Sequence, residues 1–396
     1  MLGRLDGSGA GRYCGGGDHS KNRGPALTTK VRYSYLAEQF ADPAPFLDAV
    51  KAVVQRGDFT LGEAVARFEQ RFAALIGSRH AIGVNSGTDA IKLALKAAGI
   101  GPGDEVITAA NTFIATIGAI AEFGAVPVLV DCEADRYVMD VAAVEAAITP
   151  RTRAIVPVQL TGDMVDMAAL MDIAGHHGLA VVEDSCQAIH AAQGGRPAGT
   201  WGVAGTFSLH PLKNLNVWGD GGVIVTDDDA VAARLRLLRN HGLAHRDEVA
   251  LLGYNSRLDT IQAAIGLLMV DDVPASVDGR IANAARYDEA LADIPQIRLP
   301  RRRADTRQNY HLYMVFAERR DTLVKHLNAH GISAKIHYPV PLYRQPGLAH
   351  LGYAAGHFPN SDAQADSVLS LPIDHYLTPA MQQAAIEAIR RFYEAA

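Results

Sequence analysis

Two side chains of this 396-residue sequence have the type and setting for covalent chemistry, and both lie between Leu179 and Asp227. The run Leu179-Ala-Val-Val-Glu-Asp184 is apolar and closed by two acids. That is the pattern of a buried parallel strand delivering a carboxylate at its C-terminal edge, where open α/β sheets place their ligands. Asp184 is that carboxylate. Further on, Ala204-Gly-Thr-Phe-Ser-Leu209 reads as a second short strand, followed by His210-Pro-Leu-Lys-Asn214. Lys213 has no acidic residue within five positions in sequence, which suits an imine-forming lysine. Gly219-Asp-Gly-Gly222 then turns the chain into the strand Val223-Ile-Val-Thr226. A third feature is Asn85-Ser-Gly-Thr-Asp-Ala90, between a short strand over His80–Val84 and a helix over Ala90–Ala98. A strand, a small-residue turn and a helix N-terminus hold a phosphate by outward-pointing N–H groups and the helix dipole, and Ser86 and Thr88 add hydroxyl donors. Alone, Ser86 or Thr88 reads as an ordinary helix cap; the company of Lys213 and Asp184 turns the reading toward an anion site.

Taken together, Glu183-Asp-Ser-Cys-Gln-Ala188, Phe207-Ser-Leu-His-Pro-Leu-Lys-Asn214 and Gly219-Asp-Gly-Gly222 resemble the sugar aminotransferases of fold type I, the DegT/StrS family, and the likeness runs from about Val31 to the C-terminus. The resemblance implies a pyridoxal 5'-phosphate (PLP) enzyme that passes the amino group of glutamate or glutamine to a keto-sugar. Lys213 would hold the cofactor covalently and then move the proton, and Asp184 would keep the pyridine nitrogen protonated. Gly87, Thr88 and Ser208 would bind the phosphate, with Phe113 and Gln187 beside the ring. The resemblance also implies a homodimer in which Asn255 reaches the neighbouring subunit's cofactor phosphate and Arg257 approaches the substrate. In residue terms alone, these two belong to a polar loop, Gly253-Tyr-Asn-Ser-Arg-Leu-Asp259, that could equally be capping and a surface salt bridge. His337 and Tyr338 match family positions near the sugar nucleotide.

Lys213 separates the chain from the family's dehydratases, which carry a histidine there that cannot form an imine. Asp220 is similar to members that aminate a 3-keto sugar, where many C4-specific members have glutamate. Two departures from the family pattern lie near the site: Gln159-Leu-Thr-Gly162 in place of a more usual His-Leu-Tyr-Gly, and Asn216-Val-Trp218 in place of smaller residues. The readings that stay open are a nucleotide-linked 3-keto or 4-keto sugar, a keto-cyclitol, and a non-catalytic PLP-binding regulatory protein. A dinucleotide oxidoreductase would need Gly-x-Gly-x-x-Gly after an early strand, which Asn85–Ala90 does not supply.

The elements that must position these residues alternate. Helices over Phe46–Gln55 and Val65–Ile76 precede the first strand. Strands over 105–110, 126–131 and 154–160 then alternate with helices over 115–123, 141–148 and 167–177, which predicts a mostly parallel wound sheet. Helices over 230–239 and 260–270 follow. From about Ala275 the texture is more charged, with an antiparallel strand over Tyr310–Phe316, the segment His337-Tyr-Pro-Val-Pro341 and a last helix over Pro379–Tyr393. The expected organisation is a polar disordered tail at 1–30, a large PLP-binding α/β domain at 31–274 and a smaller α+β domain at 275–396. Composition agrees with an enzyme core: 48% hydrophobic, 20% charged and a net charge of −6, which argues against general nucleic-acid binding. No stretch approaches the ~20 apolar residues of a membrane span. Three cysteines form neither a Cys-x-x-Cys motif nor a closed disulfide set, so no metal is expected and a reducing cytoplasm fits.

Overall fold

The computed structural model describes residues 30–395. The tail expected at 1–30 therefore lies, except for Lys30, outside the described residues. Seven strands form the central sheet: β1 (His80–Val84), β2 (Glu105–Ala109), β3 (Val126–Val130), β4 (Thr152–Val156), β5 (Ala180–Asp184), β6 (Ala204–Ser208) and β7 (Gly222–Thr226). Their order is β1-β7-β6-β5-β4-β2-β3. The pairs from β6 through β3 are parallel, and β7 runs antiparallel to both β1 and β6. Because β7 is reversed, its first residue meets the last residues of its neighbours: Gly222 lies opposite Val84 and opposite Ser208. The glycine turn before β7 thus joins Asp184 and Ser208 on the one edge where parallel strands end and ligands bind.

Period-two alternation sends β7 side chains to two layers. Ile224 packs with Ile82, Val182 and the buried face of the helix Gly87–Ala97, including Ile91 and Leu95. Val223 and Val225 pack on the other side with Phe68, Phe72, Phe207 and Ile265. The same alternation parts the two acids that end β5. Glu183 is fully buried away from the edge, where its carboxylate accepts from the N–H groups of Gly199 (2.9 Å), Trp201 (2.6 Å) and Gly202 (3.2 Å).

A second, three-stranded antiparallel sheet (Ile297–Arg298, Tyr313–Ala317, Val368–Leu371) packs with the helices Val273–Leu291 and Pro379–Glu394 around Tyr287, Tyr313 and Ile389. Val31 and Tyr35 belong to this cluster, and Val31 bridges to Ile332. The first described residues therefore pack on the C-terminal core before the chain enters the large sheet. The division expected after residue 274 falls inside the helix Val273–Leu291: Val273 and Val277 pack with Phe68, whereas Tyr287 and Leu291 pack with the C-terminal strands.

Two expected helices differ. Residues 141–148 form two three-residue 3₁₀ turns, Val141–Ala143 and Glu145–Ala147. Ile148 is already extended (φ −72°, ψ 129°), and Pro150 disfavours helical backbone at the residue before it. The helix opened at Thr260 stops at Leu267, and a 3₁₀ turn, Val270–Asp272, leads into the next. Among the described residues no single helix is long and apolar enough to cross a membrane.

Replacing Glu183 by alanine leaves three buried N–H groups of the 199–202 loop without their acceptor, at about 1–3 kcal/mol each. We expect Glu183→Ala to lower the unfolding free energy by about 3 kcal/mol or more, read by urea titration. A loss below about 1 kcal/mol would show that the loop finds other partners.

Candidate active site

A cavity of about 340 Å³ opens at the C-terminal edge of β5 and β6 and is lined from both cores. Asp184 is 5% exposed in its wall. Thr116 Oγ1 donates to its Oδ2 at 2.7 Å, and the Cys186 N–H donates to its Oδ1 at 3.2 Å. Two donors from different elements fix the carboxylate's plane.

Lys213 reaches the same cavity from the turn after β6. Its N–H donates to the His210 carbonyl (2.8 Å), and its own carbonyl accepts from Asn216 Nδ2 (3.0 Å), so the backbone that carries it is held on both sides. Burial pushes the Lys213 pKa below the ordinary lysine value, against the opposing pull of Cys186 and Asp184. A depressed lysine pKa raises the share of neutral amine, the form that attacks carbonyl groups.

The anion turn follows β1. Ser86 caps the helix Gly87–Ala97, its Oγ accepting from the Asp89 N–H at 3.1 Å, so the ordinary capping role is real for this residue. The N–H groups of Gly87 and Thr88, in the first turn, are those helix geometry leaves without an intrahelical acceptor. Glycine is required at 87 by close approach: a Cβ there would lie 2.7 Å from Ser208 Cβ and 2.9 Å from Cys186 Sγ. Gly87, Thr88 and Ser208 thus converge on one wall.

Phe113 is 49% exposed and stacks on Tyr338, with ring centroids 5.9 Å apart and planes at 30°. It is not a core phenylalanine. Burial pushes the Tyr338 hydroxyl up to about 12, with a hydrogen bond from the Gln187 side chain acting the other way. Gln187 is held by the Thr161 N–H, which donates to its Oε1 at 2.7 Å. His337 stacks on Tyr33 (5.7 Å, 27°), and its Nδ1 lies 2.8 Å from Ser370 Oγ. Burial lowers its pKa to about 4, with Lys335 and Lys213 adding to the shift, so the ring is neutral at pH 7.

Asn255 and Arg257 are not brought to this cavity. Asn255 is exposed and bridges to Asn240, and Arg257 Nη1 donates to Asn240 Oδ1 at 2.8 Å. Among the described residues neither makes the helix cap or the salt bridge that the sequence also allowed: the capping position is Asp259, whose side chain makes no cap bond. Sequence reasoning missed Thr116, Arg280, His311 and Lys335. Arg280, in mid-helix, lines the cavity and pairs with Asp374 at 2.6 Å, while its buried Nε has no acceptor among the described residues. His311 is held far below the usual histidine pKa by burial and the Lys213 charge. Its only sequence signal was a place at the head of an expected strand.

A pyridoxal phosphate ring requires a lysine, an acid facing its nitrogen, an anion cradle and a face to lie against. The cavity offers all four, and the cradle is one that a Cβ at Gly87 would fill. Residues 42–390 match the model of the DegT/DnrJ/EryC1/StrS aminotransferase family. The chain belongs to that family, whose members are PLP-dependent aminotransferases built on fold type I. It is 43% identical over 369 residues (92% of this chain, 98% of the relative) to a dTDP-3-amino-3,4,6-trideoxy-alpha-D-glucose transaminase of Micromonospora megalomicea subsp. nigra. It is 42% identical over 361 residues (90% and 97%) to a pleiotropic regulatory protein of Geobacillus stearothermophilus. The solved structure of S. venezuelae DesV in complex with a ketimine intermediate is similar with a TM-score of 0.90 at 42% identity, covering 93% of this chain and 99% of that one.

The His337 shift has a testable sign. Between pH 6.5 and about 4 the unfolded chain binds a proton at this histidine that the folded chain does not, so stability falls as pH drops through that window. His337→Gln should flatten the slope of unfolding free energy against pH there by up to about one proton. An unchanged slope would mean that His337 is charged in the folded protein.

Proposed function

We propose that the enzyme transfers an amino group from glutamate or glutamine to a nucleotide-linked keto-sugar, at C3 or C4, in amino-sugar biosynthesis for a surface polysaccharide or a secondary metabolite. The observation that carries this reading is the meeting of Lys213, Asp184 and the Gly87–Thr88 helix N-terminus in one cavity. Asp220, on the same wall, favours C3 within that reading, as does the naming of the Micromonospora relative for a 3-amino sugar.

Bound PLP supplies an electron sink for charge that develops on the carbon carrying the amino group. The chain's own residues do the rest. Lys213 Nζ, poorly stabilised as ammonium where it sits, takes a proton from that carbon and returns it to the neighbouring position. Asp184, fixed by Thr116 and Cys186, presents a negative charge that favours a protonated ring nitrogen. The N–H groups of Gly87 and Thr88 and the Ser208 hydroxyl bind the phosphate. Phe113 and Tyr338 wall the ring, with Gln187 beside it, and neutral His337 faces the sugar.

We further propose a homodimer in which Asn255 and Arg257, turned away from their own cavity, complete the neighbour's site. The exposed apolar residues Phe59, Leu212 and Ile114 suit a surface that a second subunit covers. A reducing cytoplasmic setting suits the free thiols of Cys132 and Cys186. The regulatory reading has the Geobacillus relative's name in its favour. It predicts no turnover in a half-reaction with glutamate, whereas the intact Lys213 and Asp184 predict conversion of the cofactor.

Borohydride reduction followed by mass spectrometry should place a pyridoxyl adduct on Lys213 and find none there in Lys213→Ala; an adduct on another lysine overturns the assignment. The composite site is tested by complementation. Mixing Lys213→Ala with Asn255→Trp chains yields heterodimers with one doubly damaged site and one intact site. About a quarter of wild-type sites should return on random exchange. No recovery, with exchange confirmed by native mass spectrometry, would show that Asn255 serves its own chain's site or none.

A further inference from the structure

Lys335 is a cation in the cavity wall with no carboxylate partner among the described residues. Its backbone is pinned to the edge of the second sheet, N–H donating to the Ser370 carbonyl at 3.1 Å and carbonyl accepting from the Ser370 N–H at 2.8 Å. Its ammonium stands 4.0 Å from the centroid of the Tyr33 ring, the ring that also stacks on His337. The side chain is exposed and forms no ion pair among the described residues.

The other charges of the cavity are already assigned. Lys213 and Asp184 lie at the cofactor end, and Arg280 is neutralised by Asp374. Asp220 stands at the glycine turn, while His311 and His337 are neutral by burial. Among the described residues one free positive charge therefore remains on the side that the second core supplies, two residues before His337. An ammonium held against an aromatic face at a cavity wall has lost part of its side-chain freedom and keeps its donors available, which favours an anion brought in by a ligand.

We infer that Lys335 is a specificity-determining residue that reads a negative group on the amino acceptor. Two groups of a nucleotide-linked sugar share that chemistry: the diphosphate bridge, and a carboxylate on the sugar itself. The inference rests on the nucleotide-sugar reading of the site, and the neighbouring His337 and Tyr33 give the sugar neutral, hydrogen-bonding and stacking surface beside the cation.

The experiment is calorimetric titration of the PLP-loaded enzyme and its Lys335→Met and Lys335→Arg variants with UDP, dTDP, UDP-glucose and UDP-glucuronate, with retained cofactor as the check on folding. Loss of a charge-assisted contact should weaken binding by about tenfold in Lys335→Met, with most of it restored in Lys335→Arg. Equal weakening of UDP, dTDP and UDP-glucose assigns the contact to the diphosphate. Weakening of UDP-glucuronate alone assigns it to a sugar carboxylate and marks the natural acceptor as an acidic sugar. Binding that Lys335→Met leaves unchanged for every probe overturns this inference but not the nucleotide-sugar reading. Failure of the unmodified enzyme to bind any of the four overturns that reading, and this inference with it.

Discussion

The site depends on one close approach between two pieces of backbone. Where β7 begins, Gly222 lies so near the anion turn that a Cβ would fall 2.3 Å from the Ser86 carbonyl oxygen and 2.9 Å from the Gly87 nitrogen. That contact exists because β7 runs opposite to β1 and β6, which sets its start beside their ends. A parallel β7 would put its start at the far edge of the sheet and take the glycine turn with it. With the reversal, Ser208, Gly87 and Asp220 share one edge, and the turn after β6 carries Lys213 back over Asp184.

Burial then sets the charge states on that edge. His311 and His337 are driven neutral, and Lys213 loses part of its preference for the ammonium form. The Asp184 carboxylate accepts from two donors, Thr116 Oγ1 and the Cys186 N–H. Burial also pulls Arg280 below the ordinary guanidinium value, against the opposing pull of Asp374, and its Nη1 donates to the Ile373 carbonyl at 3.0 Å. Neutral His311 and His337, a poised amine at Lys213 and a fixed carboxylate at Asp184 suit proton transfer at carbon.

Much of this was legible in the sequence, for a physical reason. Strands buried on both faces read as short apolar runs, so β5, β6 and β7 and the polar residues that end them stand out. The Ser86–Gly87–Thr88 turn was visible because anion sites at helix N-termini need small residues. The reversal of β7 was not legible, since strand direction leaves no local trace. Arg280 and Thr116 were invisible as well: the first sits in mid-helix and the second in the first turn of the helix Ile114–Ala121, and each becomes a site residue only when a partner distant in sequence, Asp374 or Asp184, folds against it. The expected 141–148 helix rests on a helix-favouring Ala-Glu-Ala composition, but the backbone turns extended at Ile148, just before the Thr149-Pro150 pair that disfavours helix.

The two departures from the family pattern show where this chain differs chemically. Gln159 is fully buried; its Oε1 accepts from the Val165 N–H at 2.7 Å and its Nε2 lies 3.4 Å from Glu183, so it braces the acid beneath Asp184. Thr161, at φ 63°, turns its N–H onto Gln187. Asn216 ties the Lys213 carbonyl to Gln39, and Trp218 fills the space beside Phe40 and Phe46, with ring centroids 5.7 and 5.5 Å away. Within the chain these residues brace the groups that border the cavity. Changes in such supports alter how firmly Lys213 and Gln187 are held, whereas a change in a side chain that faces the ligand alters what is bound. Lys335, His337 and Asp220 present side chains to the cavity, and it is to such residues that we propose the choice of sugar falls.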